Sequence, residues 1–199
     1  TRHAEPAAAA ALVGRLAAQA REARVPHYYK KTDSTLRGNI AAELQALMDV
    51  FPERLLVYVP AYPKMKRTVS GGEVFVDGRP LAETAVARDP VRPAPQGNLL
   101  ALLKAGCAGG VFLARDADEL SALLGEVRAG SLVVCDGAAD ADLEATAEAL
   151  AAAGRGLLLA GTGGFAGLWV RRLGLSRDGV PRALPPVRRC LVAAGSMHP

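Results

Sequence analysis

From residue 99 onward the chain alternates between amphipathic helical segments and short apolar runs, and no other feature restricts its fold as strongly. Residues 99–105 read as a helix, 110–114 as a strand, 117–128 as a helix and 132–135 as a strand. Residues 142–152 then read as a helix, 157–160 as a strand and 165–173 as a helix. Strands separated by helices cannot close as two-residue hairpins. They need crossover connections, which give parallel pairing with helices over both faces. The expected fold is therefore α/β, a three-layer αβα arrangement around a mainly parallel sheet.

The first half fits the same plan with one addition. Residues 6–23 read as a helix with Pro6 in its first turn. Residues 27–30 form a short strand, and Ile40, Leu44, Leu47, Met48 and Phe51 make one apolar stripe at helical spacing, with Asn39 placed as its N-cap. Residues 55–59 are continuously apolar, as a fully buried strand must be. Residues 73–76 followed by Asp77-Gly78 predict a small β-hairpin insertion. Proline-rich residues 89–95 and residues 179–186 read as linkers, and 189–194 as a last strand.

Composition narrows the function classes. Hydrophobic residues are 50% and aromatics 5%, so Leu, Val and Ala build the core. The net charge of +4 is spread along the chain without a basic stripe, which argues against a nucleic-acid partner. Cys107, Cys135 and Cys190 have no zinc-ligand spacing; Cys107 and Cys135 sit in apolar surroundings and are expected to be buried thiols. His3, His27 and His198 have neither metal-ligand nor triad spacing. No apolar run reaches bilayer-spanning length, so no membrane association is expected, and a cytoplasmic location is.

In parallel sheets, ligands bind beyond the carboxyl ends of the strands. Polar or glycine-rich segments fall at several of those ends: Lys31 to Ser34, Pro60 to Arg67, Asp136-Gly137, and Gly161-Thr162-Gly163-Gly164. Residues 30–39 are the densest, with three cations, one carboxylate and three hydroxyls. Lys31 and Arg37 suit a carboxylate or phosphate. Asp33 suits ligand hydroxyls or an orienting role, and Ser34 and Thr35 suit a turn cap or an anion. The basic loop of Lys64, Lys66 and Arg67 lies beside this rim. The glycine turn at 161–164 has neither P-loop nor dinucleotide spacing, so it reads equally as an anion cradle or a tight strand-to-helix turn.

The run Lys31-Thr32-Asp33-Ser34-Thr35-Leu36-Arg37-Gly38-Asn39-Ile40, with Glu43-Leu44 after it, closely resembles the four-carbon acid sugar kinase family. Thr1-Arg2-His3, Pro60-Ala61-Tyr62-Pro63, Arg67-Thr68, Gly72, the run Val76-Asp77-Gly78-Arg79-Pro80-Leu81, Asp89-Pro90, Asp142-Leu143 and Gly161-Thr162-Gly163-Gly164 resemble further elements in order. Gly195-Ser196 with His198-Pro199 looks like the start of that family's nucleotide domain. The chain departs from the pattern where Lys66 replaces a usual glycine and Gly163 a common alanine. The family's leading Asp-Asp-x-Thr-Gly-type run and later nucleotide motifs do not occur in these residues.

The resemblance implies an ATP- and Mg²⁺-dependent kinase that phosphorylates the terminal hydroxyl of threonate, erythronate or a 3-oxo-tetronate. Residues 1–178 would form the sugar-acid-binding α/β domain without its first strand, and 179–199 a linker and the first strand of a nucleotide-binding domain. Arg2, Lys31, Thr32, Asp33, Ser34 and Arg37 would bind substrate, Ser196 would contact ATP, and Asp33 is a fallback catalytic base. Both chain ends read as cut, so these residues by themselves are not expected to turn over. A homo-oligomer fits this reading. The alternative is a non-catalytic ligand-sensing or scaffold domain derived from such a kinase.

Overall fold

The computed structural model describes residues 3–88, 98–154 and 156–175. The linkers expected at 89–95 and 179–186, the strand expected at 189–194 and the unit assigned to 179–199 lie outside these residues, as do Arg2, Cys190, Ser196 and His198.

Five strands form the main sheet: β1 (Tyr29–Lys31), β2 (Leu55–Val59), β6 (Val111–Ala114), β7 (Leu132–Cys135) and β8 (Leu157–Gly161). Their order is β1-β8-β2-β7-β6, and every neighbouring pair is parallel. β2 and β7 are buried along their whole length, which explains why their sequences do not alternate: both faces are covered. β6 lies at an edge and leaves Phe112 partly exposed.

One helical layer contains α1 (Pro6–Glu22), α2 (Ile40–Val50) and α3 (Leu99–Gly106), packed in that order. The other contains α4 (Ala117–Glu126), α5 (Asp140–Ala153) and α6 (Gly163–Arg172). α1 buries Ala9, Val13 and Ala17, one side chain per turn, and its alanines let it approach α2 closely. α2 buries Ile40, Leu44, Leu47 and Met48, the stripe read from the sequence. The three-layer αβα architecture expected from the strand–helix rhythm is the one observed.

Local differences have local causes. The first strand is Tyr29–Lys31 rather than 27–30, because it pairs with β8 through Tyr29–Leu159, Lys30–Ala160 and Lys31–Gly161. α5 starts two residues early, since the Asp142 carboxylate accepts from the Ala138 and Ala139 N–H groups at 2.8 and 2.9 Å. Asn39 occupies the N-cap position of α2 without capping it; its side-chain amide donates to the Ala4 carbonyl at 2.8 Å instead. Cys135 is buried as expected, whereas Cys107 is only half-buried.

The expected hairpin belongs to a three-stranded antiparallel sheet of β3 (Arg67–Ser70), β4 (Glu73–Val76) and β5 (Arg79–Pro80). Asp77 and Gly78 both have positive φ, as a type I′ turn requires. Arg67, expected in a basic loop, instead begins β3. Its pairing depends on Lys66 at φ 54°, a left-handed conformation that accounts for glycine being usual there. Val69 and Gly137 exchange N–H···O bonds of 2.9 Å, tying the small sheet to the main one. Among the described residues no helix is long and apolar enough to cross a membrane.

Candidate functional site

Beyond the carboxyl end of β1 lies a cavity of about 260 Å³ lined by Lys30, Lys31, Thr32, Asp33, Arg37, Gly38, Asn39, Ile40 and Glu43. The turn after β1 forms one wall and the first turn of α2 the other. The ladder continues past the strand, where Thr32 N–H donates to the Gly161 carbonyl at 2.7 Å. The chain then folds back through a turn in which Leu36 N–H donates to the Asp33 carbonyl at 3.2 Å.

The Asp33 side chain organises that turn. Its Oδ2 accepts from Thr35 Oγ1 at 2.6 Å, from Arg37 N–H at 3.3 Å and from Arg37 Nε at 3.1 Å. Leu36 sits at φ 58° and is 1% exposed. A left-handed leucine costs about 1–2 kcal/mol, and burying its side chain returns about 1.5–3. The core thus fixes the turn, and the turn presents Asp33 and Arg37 to the cavity. Strain of this kind, outweighed by packing, is common at binding loops.

Charge inside the cavity is partly neutralised. Lys30 Nζ lies 2.5 Å from Glu43 Oε2, with 19% and 7% of those side chains exposed. Glu43 stands in the first turn of α2, where the helix dipole favours a carboxylate. Arg37 pairs with Asp33. Lys31 makes no ion pair among the described residues. Three lining cations against two carboxylates leave one positive charge, carried by Lys31 at the rim.

The floor is different in character. Thr32 Oγ1 and Tyr58 Oη are buried, and neither has a hydrogen-bond partner among the described residues. Burial pushes the Tyr58 phenol far above its usual range; the Thr32 hydroxyl pulls against this, and the Asp33 charge adds to it. The two hydroxyls act on each other without reaching hydrogen-bond geometry.

The site residues read from the sequence can now be placed. Lys31, Thr32, Asp33 and Arg37 line one cavity. Ser34 belongs to the same turn but is not among the lining residues. Arg2 and Ser196 lie outside the described residues. Lys30, Asn39 and Glu43 also line the cavity, although the sequence names none of them as a substrate contact. Only tertiary structure shows that Lys30 and Glu43 pair, since a Lys–Glu pair thirteen residues apart has no sequence signature.

The other strand-end segments serve the fold. The Asp136 carboxylate accepts from Gly71 N–H at 2.6 Å and Gly72 N–H at 2.9 Å, which pins the small sheet. Lys64 and Lys66 are exposed and face Asp140 and Asp77. In the glycine turn, Thr162 Oγ1 donates to the Ala61 carbonyl at 2.8 Å and caps α6 through Phe165 N–H. A Cβ on Gly161 would lie 2.4 Å from the Val59 carbonyl oxygen, and one on Gly164 2.5 Å from the Tyr62 ring. One on Gly163 would meet nothing within 4 Å, so alanine fits there. Close packing explains Gly161 and Gly164 without an anion.

Comparison with known proteins gives the same direction. The family described as "Sugar-binding N-terminal domain" matches residues 1–168. The chain is 39% identical over 172 residues to a D-threonate kinase of Bordetella bronchiseptica, covering 83% of this chain and 41% of that protein. It is 34% identical over 147 residues to a D-erythronate kinase of Heliobacterium modesticaldum, covering 69% and 34%. It is 30% identical over 178 residues to a 3-oxo-tetronate kinase of Actinobacillus succinogenes, covering 85% and 42%. The chain therefore spans about two fifths or less of the length of these relatives. A crystal structure of a domain of unknown function from Bordetella bronchiseptica, a domain-swapped dimer with bound citrate, matches with a TM-score of 0.77 and 34% identity over 87% of this chain and 43% of that one. With the cavity, the turn that builds it and the fold all placed, this chain belongs to the four-carbon acid sugar kinase family, of which it carries the sugar-binding N-terminal domain.

Proposed function

We propose that this domain binds a four-carbon sugar acid and presents its terminal hydroxyl for phosphorylation by ATP. One observation carries the reading: a small polar cavity whose described lining leaves a single positive charge, at Lys31. That balance suits one carboxylate. About 260 Å³ corresponds to about nine water volumes, which is ample room for a molecule with four carbons and five oxygens. The names of the relatives, and the citrate bound to one neighbour, support an acidic polyol ligand.

In this reading Lys31 takes the carboxylate, with Arg37 aimed by Asp33 as a second donor. Thr32 contacts a chain oxygen, and Ser34 and Arg2 complete the substrate set. Asp33 acts by holding Arg37 and accepting a ligand hydroxyl. Its Oδ2 already serves three donors, which suits orientation better than proton removal.

Among the described residues no group of three His, Cys, Asp or Glu side chains could hold a metal ion. In this reading the part of these residues is to position the acceptor. ATP, Mg²⁺ and the Ser196 contact belong to the proposal for the whole protein, as do a cytoplasmic location and association with a second copy. The dimeric neighbour supports the last of these.

Calorimetric titration of the 199-residue chain with D-threonate, D-erythronate and citrate tests the reading. Binding of a four-carbon acid is expected, weakened about tenfold or more in Lys31→Ala and in Arg37→Ala. Binding unchanged in both variants would refute the assignment of this cavity.

A further inference from the structure

The unpartnered hydroxyls under the cavity bear on how the ligand is read, and this inference rests on the proposed sugar-acid site. Tyr58 is fully buried in β2, and Thr32 is 4% exposed. Their proximity shows in the pull of the Thr32 hydroxyl on the Tyr58 phenol, and register places both on one face. Lys30 of β1 and Tyr58 of β2 both pair with Ala160 of β8, so the three lie in one row across the sheet. Side chains alternate along a strand, so Thr32, two residues beyond Lys30, points to the same face as Tyr58. Ala160 contributes only a methyl group between them. Buried polar groups nearly always find a partner, and one left without calls for an explanation.

Tyr58 cannot supply that partner by ionising. Its phenol is held protonated by burial, and the Asp33 charge acts in the same sense. A protonated phenol beside a threonine has one productive arrangement: it donates to Thr32 Oγ1, and the threonine proton then turns outward. Of the two, only Thr32 lines the cavity.

We propose that Tyr58 is a positioning residue for the ligand: with a sugar acid bound, its hydroxyl donates to Thr32 Oγ1, which directs the Thr32 O–H to an acceptor oxygen on the ligand chain. One ligand atom then completes both hydroxyls. The floor so arranged is a donor, whereas the Asp33 and Glu43 carboxylates, each paired with a cation, can only accept. The cavity thereby distinguishes the oxygens of a polyol acid by their place in the chain. A keto oxygen, which only accepts, fits the floor as well as a hydroxyl does.

Tyr58→Phe, Thr32→Val, Thr32→Ser and the double variant Tyr58→Phe/Thr32→Val test this in the 199-residue chain, titrated with D-threonate and D-erythronate. Tyr58→Phe is expected to weaken binding about five- to tenfold while leaving the ligand-free melting temperature unchanged or raised, because it removes an unpaired buried hydroxyl. In the Thr32→Val background the same change should cost nothing further, and Thr32→Ser, which keeps the hydroxyl, should bind close to wild type. A structural role predicts the opposite pattern: a lower ligand-free melting temperature, and an affinity loss that persists without Thr32. That pattern, or wild-type affinity in Tyr58→Phe, overturns the inference and leaves the proposed function standing. Failure of the wild-type chain to bind either acid refutes the proposed function, and this inference with it.

Discussion

Gly161→Ala is the substitution whose cost can be worked most directly from the structure. Gly161 ends β8 and pairs with Val59 on one side and Lys31 on the other. A Cβ there would lie 2.4 Å from the Val59 carbonyl oxygen and 2.7 Å from Tyr29 Oη. Both are about 1 Å short of ordinary contact, and the nearer atom is backbone in the middle of the sheet. Overpacking of this kind costs about 1–3 kcal/mol. The displacement also strains two hydrogen bonds, Thr32 N–H to Gly161 O and Tyr29 Oη–H to Thr162 O, each 2.7 Å and each worth about 1 kcal/mol. The expected loss is about 3–5 kcal/mol, a large share of a typical domain's stability. Urea unfolding followed by circular dichroism measures it, with Gly163→Ala as the internal control. A Cβ on Gly163 touches nothing, and alanine raises helix propensity by up to about 1 kcal/mol, so that variant should match or exceed wild type. Gly161→Ala within about 0.5 kcal/mol of wild type would refute the close-approach account. Equal losses in both variants would refute it as well.

Two further outcomes are expected. Glu43→Gln leaves Lys30 in the cavity without its counter-charge and should lower stability by about 3 kcal/mol in urea unfolding, since both side chains are largely buried; a loss under about 1 kcal/mol would show that the pair contributes no more than a surface one. Cys107 is pushed up to about 11 from an ordinary value near 9, first by burial and then by the Asp49 charge. Because the raised value belongs to the folded state, its contribution to stability is complete below about pH 9 and is lost as pH rises through 11. In a Cys190→Ser background at pH 8, Cys107 should alkylate at least about tenfold more slowly in the native chain than in urea, and equal rates would contradict the shift.

The fold was legible because it depends on patterns that are local in the chain. Apolar runs at 55–59 and 132–135 can only be strands covered on both faces, and the α2 stripe can only be a helix with one buried side. What remained illegible depended on contacts between distant segments. β3 carries no strong strand signal, and it forms because Val69 meets Gly137 and Asp136 grips the Gly71 and Gly72 amides. The strand-end glycines read equally as an anion cradle or a tight turn; their neighbours, Val59 and Tyr62, are about 100 residues away and settle the matter through packing.

The candidate site divides along the same line. Residues 31–37 announce a binding turn in the sequence because cations, a carboxylate and hydroxyls in one short run are costly without a ligand, and the structure does gather Lys31, Thr32, Asp33 and Arg37 around one cavity. Their sequence alone determined the polarity of this segment and its place at the end of a parallel strand, whereas burial of Leu36 in the core fixes the turn itself. Tertiary structure alone decided which charges remain available: Lys30 is taken by Glu43 and Arg37 by Asp33, while Lys31 keeps its charge at the rim. It also decided that Tyr58 and Thr32 share a face, because parallel register across β8 sets side chains from residues 30, 160 and 58 in one row and Thr32 lies two residues beyond Lys30. Charge pairing and cross-sheet register act through space between elements brought together only by folding, so neither can be read along the chain.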